Sequence, residues 1–141
     1  GFVMANAGID RSNIGMGDGE RALLLSLDPD GSAERLRGAL GCPVVISDSF
    51  GPPWRMGVTA VGIGASGLPA LLDRRGEFDR DGRMLEATQI AVADLIASAA
   101  VLAMGEGTEG IPAVLIRGYC FPDRHVPAEA LNRPLAEDLF Q

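Results

Sequence analysis

Lysine is absent from this 141-residue chain: all twelve basic residues are arginine, against nineteen Asp and Glu, giving a formal net charge of −7. With no basic stripe to follow a phosphate backbone, nucleic-acid binding is excluded as a main activity. Cysteine is scarce as well. Cys42 and Cys120 lie far apart without CxxC spacing, so neither a zinc site nor a disulfide framework is indicated. Reduced thiols in a cytoplasmic protein are the default. Long hydrophobic runs are missing: the most apolar stretch, IAVADLIASAAVLAM, is too short to span a bilayer and carries Asp94. No charged region precedes an apolar one near Gly1, so neither an export signal nor a membrane partner is expected. Histidine occurs once, as His125 in a proline-rich tail without a Cys or Asp at motif spacing, and reads as surface structure. Ser12, Ser49 and Ser66 lack the G-x-S-x-G setting of a hydrolase nucleophile, which disfavours a serine triad.

What is present belongs to a folded globular protein. The hydrophobic fraction is 47%, with only five Phe, one Trp and one Tyr, so Ala, Leu, Val and Ile must form the core. The length suits one domain. GFVMANAG starts in full hydrophobic stride without the polar slack usual at an N-terminus, which predicts a longer parent chain. The acidic excess suits solubility, or a site that recruits cations to hold an anionic ligand.

Along the chain, GFVMANAG reads as a short strand that passes into a polar loop, IDRSNIGMGDGE. RALLLSL is a short strand. In DPDGSAERLRGALG, Asp30 or Ser32 caps a helix that Gly41 ends. CPVVISDS is a strand, and GVTAVGIGASG is a second, in which glycines allow close backbone approach. LPALLD is a short helix, and RRGEFDRDGR a charged turn or hairpin. Apolar residues from Leu85 to Ala103 recur at helical spacing, predicting a long helix from about Met84 to Met104. GEGTEG breaks it, IPAVLIRG is a buried strand, and the remainder is a Pro-punctuated tail. Strands and helices mix without a βαβ rhythm, so the fold class is α+β, a mixed sheet with packed helices.

Chemistry-bearing residues gather in loops: Asp10, Ser12 and Asn13; Asp48 and Ser49; Glu106, Thr108 and Glu109. Hard divalent cations take several oxygen ligands, which carboxylates from separate loops can supply, and Asp10, Asp48 and Glu106 suit that role. Singly, each is an ordinary turn or cap residue. Glycines in GEGTEG can bring backbone N–H groups close to phosphates, although no GK[ST] ending of a Walker loop follows. Trp54 reads as a packing anchor for the loop after Asp48, and Arg55 equally as an ion-pair partner or an anion ligand.

In combination these stretches are far more specific. ANAGIDRSN, VISDSFGPPWRMGVTAVGIGASGL, DRRGEFDRDGRMLEATQIAVADLIASAAVLAMGEGTEGIPAVLIRG and NRPLAEDLF, in this order, resemble the C-terminal portion of the coenzyme F420-0:L-glutamate ligase (F420 gamma-glutamyl ligase) family over nearly the whole chain. The resemblance implies a GTP-dependent ligase that adds L-glutamate in gamma linkage to coenzyme F420-0 through an acyl phosphate. It also implies magnesium or manganese and an intertwined homodimer. Asp10, Asp48, Ser49 and Glu106 match the family's metal positions, with Ser49 standing where a Thr is usual. Asn13 and the loop Met104, Gly105, Glu106, Gly107, Thr108, Glu109, Gly110 and Ile111 match its nucleotide contacts; no catalytic residue is assigned. Pro53 departs from the family's usual residue before Trp. The family's N-terminal half is missing, so the implied enzyme needs that half for activity. The alternatives are a related GTP-dependent ligase with another carboxylate acceptor, and a non-catalytic interaction fragment.

Overall fold

A computed structural model describes residues 9–11, 14, 21–52 and 54–137. Among the described residues six strands and two helices are assigned: β1 Ile9–Asp10, β2 Leu23–Leu24, α1 Pro29–Leu40, β3 Val44–Phe50, β4 Thr59–Ser66, β5 Leu71–Asp73, β6 Gln89–Ala91 and α2 Val92–Met104. Short 3-10 turns follow at Ala128–Leu131 and Leu135–Glu137. The class is α+β, as read from the sequence. In place of one mixed sheet, the described strands form three two-stranded antiparallel ladders, β1 with β2, β3 with β4 and β5 with β6.

The β3–β4 hairpin is the frame. Its register runs from Val44 opposite Ser66 to Phe50 opposite Thr59, with one extra β4 residue, Ile63, bulged between the partners of Ile46 and Ser47. Small residues let helices approach. A Cβ added to Gly62 would lie 2.6 Å from the Ala93 Cβ, and one added to Gly64 would run into the Pro29 carbonyl. The first turns of α2 and α1 therefore rest on β4 at these two glycines, two positions apart along the strand. The buried cluster is built from Ala65, Ala70, Ala93 and Ala128, with Val45 and Leu131 packed against it.

Capping corrects one expectation. Asp28, not Asp30 or Ser32, caps α1, its side chain accepting from the Gly31 amide at 2.8 Å. Pro29 then takes the first helical position, where its missing N–H costs nothing, and it keeps Asp28 out of helical geometry. Gly41 ends the helix in left-handed geometry at φ 69°, as expected.

Asp30 acquires a different task. Its carboxylate accepts from the amides of Ala65 and Ala128, each at 2.8 Å, and of Glu129 at 3.1 Å, joining α1, β4 and the tail. The tail crosses the segment after β4 at Val126, whose carbonyl accepts from the Ala70 amide at 2.9 Å.

Three further expectations are corrected. LPALLD contributes strand β5 because Leu71, Leu72 and Asp73 pair with Ala91, Ile90 and Gln89. That pairing also holds β6 extended, so α2 begins at Val92 and not near Met84; Leu85 is tied to Gly76 and Glu77 across the charged hairpin, which forms as expected. IPAVLIRG is neither buried nor a strand: residues 111–117 are exposed and unassigned, with no neighbouring ladder among the described residues. Among the described residues no helix is long and apolar enough to cross a membrane. Cys42 and Cys120 are free thiols.

Candidate functional site

Asp48 and Ser49 lie in the last turn-ward residues of β3, opposite Val61 and Ala60. Asp48 is half-buried and its carboxylate accepts from the Ser49 amide at 2.8 Å. The Ser49 hydroxyl is exposed and donates to the Glu106 carboxylate at 2.7 Å, joining residues 57 positions apart in the chain.

Glu106 reaches this strand end because α2 runs along β4. The Asp94 carboxylate accepts from the Gly62 amide at 2.8 Å, and one turn later the Ser98 hydroxyl donates to the Ala60 carbonyl at 2.8 Å. These two polar residues on an otherwise apolar helix fix its direction. The sequence signal was their i, i+4 spacing, which puts both on one helix face. Gly105, at φ 74°, then turns the chain out of the helix and Glu106 follows.

The glycine-rich loop is folded around its own acid. Gly107 donates its amide to the Glu109 carboxylate at 2.8 Å, and the amides of Glu109 itself and then of Gly107 hold that carboxyl below the usual carboxylate range. The Gly107 amide expected to face a phosphate therefore already serves an anion, Glu109.

A groove of about 470 Å³ opens between β4, β6 and α2, with Phe50, Thr59, Gln89, Asp94 and Ser98 among its lining residues. Its polar groups were missed as a set by sequence reasoning, because each sits in a different element. Trp54 is no packing anchor: it is 77% exposed. Arg55 is also exposed.

The structure thus brings Ser49 and Glu106 together, with Asp48 next to Ser49 along β3. Asp10 is exposed in β1, opposite Leu23, and among the described residues no three His, Cys, Asp or Glu side chains form a cation-binding group. Asn13 lies outside the described residues, as do Ser12 and Pro53. Two carboxylates and a hydroxyl are hard oxygen donors of the kind magnesium and manganese take, and they fill fewer positions than the six such ions occupy. In kind they fit a divalent cation, with water or phosphate oxygens completing the shell.

A strand-end hydroxyl met by a glutamate from a glycine-rich loop, with a carboxylate next to it in the strand, marks the polar cluster of this α+β chain. Comparison with known proteins makes the assignment narrower. The family described as F420-0:Gamma-glutamyl ligase matches residues 1–118, and the chain belongs to that family. Proteins named coenzyme F420:L-glutamate ligase are similar throughout. The one from Natronomonas pharaonis is 49% identical over 141 residues, covering 100% of this chain and 54% of the relative. That from Methanothermobacter thermautotrophicus is 49% identical over 151 residues, covering 100% and 58%. That from Methanocaldococcus jannaschii is 45% identical over 147 residues, covering 100% and 57%. The chain spans about half the length of the curated relatives it matches.

Proposed function

We propose that this chain supplies the cation-binding part of a ligase that joins L-glutamate to coenzyme F420-0 at the expense of GTP. The observation that carries the reading is the Ser49–Glu106 hydrogen bond, which joins the Gly105–Gly110 loop to the end of β3, where Asp48 precedes Ser49. Family membership supplies the substrate class.

The chemistry requires such a site. A carboxylate resists attack by an amine until one of its oxygens can leave. Transfer of the GTP terminal phosphoryl group to the acceptor carboxylate forms an acyl phosphate and GDP. Attack by the amino group of glutamate then forms the amide, expelling inorganic phosphate and releasing a proton. Bound magnesium or manganese supplies charge neutralisation at the phosphates. Asp48 and Glu106 would hold that cation, and Ser49 keeps Glu106 turned toward the strand end. Positioning and electrostatics of this kind lower such barriers. Exposed Leu95, Leu102, Leu115 and Ile116 leave apolar surface for the rest of the enzyme or a second copy in a homodimer.

The test is titration of manganese, with and without GDP, into the chain assembled with the remaining part of the ligase. Asp48→Ala and Glu106→Gln are each expected to weaken manganese binding and to remove glutamate-dependent phosphate release. Unchanged manganese binding in both variants would refute the site.

A further inference from the structure

Glu106 is an exposed residue on a loop flanked by two glycines, yet its carboxylate meets Ser49 at 2.7 Å. Something must hold such a loop, because glycine on either side gives the backbone more freedom than any other residue would. The structure offers one candidate. The Glu109 carboxylate folds back and touches both neighbours of Glu106: it accepts from the Gly107 amide at 2.8 Å, and it fills the space where a side chain at Gly105 would stand.

We propose that Glu109 is a positioning residue, a brace that fixes the backbone on both sides of Glu106 and so aims the Glu106 carboxylate at Ser49. Gly105 is glycine for two reasons that agree. Its φ of 74° is left-handed, and a Cβ there would fall inside the Glu109 carboxyl group. The brace and the glycine form one unit. Glu109 acts through Glu106 and touches no reacting group. Its own amide and that of Gly107 favour its charged form, consistent with an anion kept in the loop.

The inference rests on the cation reading above, and the experiment separates the two. Manganese affinity is measured by electron paramagnetic resonance on the full chain assembled with the rest of the ligase. The variants are Glu106→Gln, Glu109→Ala, Glu109→Gln and the double variant Glu106→Gln/Glu109→Ala. Residues that orient a metal ligand commonly change affinity by 10–100-fold, so Glu109→Ala is expected to weaken manganese binding roughly tenfold. Glu109→Gln keeps an oxygen that can accept from Gly107 and should restore most of that affinity. The double variant should bind no more weakly than Glu106→Gln alone.

A Glu109→Gln loss as large as that of Glu109→Ala would overturn the brace in favour of a direct charge contact. Unchanged affinity in Glu109→Ala alongside weakened Glu106→Gln would overturn it outright. If Glu106→Gln leaves affinity unchanged, the cation reading fails, and a metal-free measurement decides the brace. The carbon-13 shift of the Glu106 carboxyl should move in Glu109→Ala in the direction seen for Ser49→Ala, and an unmoved shift refutes the proposal.

Discussion

Replacing Asp30 with alanine removes one carboxylate and orphans three backbone donors in two parts of the chain, β4 and the tail. The Ala65 and Ala128 amides donate to the same oxygen, Oδ1, at 2.8 Å and are partly buried; the Glu129 amide donates to Oδ2 at 3.1 Å and is exposed. A buried donor left without a partner costs about 1–3 kcal/mol, while an exposed one recovers most of its loss by binding water. Loss of an acid from the first turn of α1 adds roughly 0.5 kcal/mol. Asp30→Ala should therefore destabilise the fold by about 4 kcal/mol, a large share of the total stability of about 5–15 kcal/mol expected of a domain. Asp30→Asn is the discriminating variant. Its amide oxygen can keep both bonds made by Oδ1 and lose only that to Glu129, so it should cost about 1 kcal/mol. Urea denaturation gives both values, and hydrogen exchange at the Ala128 and Glu129 amides should accelerate first, as the tail leaves β4. Equal losses in the two variants, or a loss under about 1 kcal/mol in Asp30→Ala, would refute the reasoning.

Gly62→Ala should destabilise by about 1–3 kcal/mol, because its methyl would stand 2.6 Å from the Ala93 Cβ and must push α2 away. Gly38→Ala, in α1 with open space around it, should instead stabilise by about 0.5–1 kcal/mol, and thermal melts of the pair measure the contrast. Asp73 is held down to about 2, first by the Arg75 side chain and then by the Arg75 amide. A carboxylate whose pKa is depressed on folding adds stability above its unfolded value near 3.8 and loses it as pH falls toward about 2. Carbon-13 titration should show that midpoint, and since the pair is exposed, salt should move it upward. Ser49→Ala should reduce manganese affinity several-fold by releasing Glu106, whereas Ser49→Thr should preserve it, a comparison that calorimetry can make.

Elements with local signals were legible in the sequence. Gly41 after the last apolar turn and the β-branched run Val44–Val45–Ile46 each carry their own instruction, and α1 ends and β3 forms there. Where pairing decides, pattern alone failed. Leu71–Asp73 and Gln89–Ala91 are too short to declare a strand, and their antiparallel register overrides the helical spacing that continues through them. IPAVLIRG has the composition of a buried strand, but composition cannot provide a neighbouring ladder. The site was legible only through order. Asp48 and Ser49 alone are strand punctuation, and no local feature announces that Glu106 will reach them. Glu109 was named with the glycine loop, but that its carboxylate serves the loop backbone is a role that residue type does not reveal.

The meeting of Ser49 and Glu106 follows from a match between helix and strand. Four residues of helix, from Asp94 to Ser98, rise about 6 Å. Two residues of strand, from Gly62 back to Ala60, span about 6.6 Å. Helix and strand therefore advance together, and the two polar anchors of α2 fall in step with β4. Because Ser49 pairs with Ala60, Ser98 is already level with the site. The helix nevertheless continues to Met104, six residues further and about 9 Å along its axis. A straight exit would carry Glu106 past the end of β3. The left-handed turn at Gly105 sends it back, and the Glu109 carboxylate occupies the inside of that turn. Small residues on β4 thus set how close α2 lies, Asp94 and Ser98 set its register, and the glycine turn corrects its excess length.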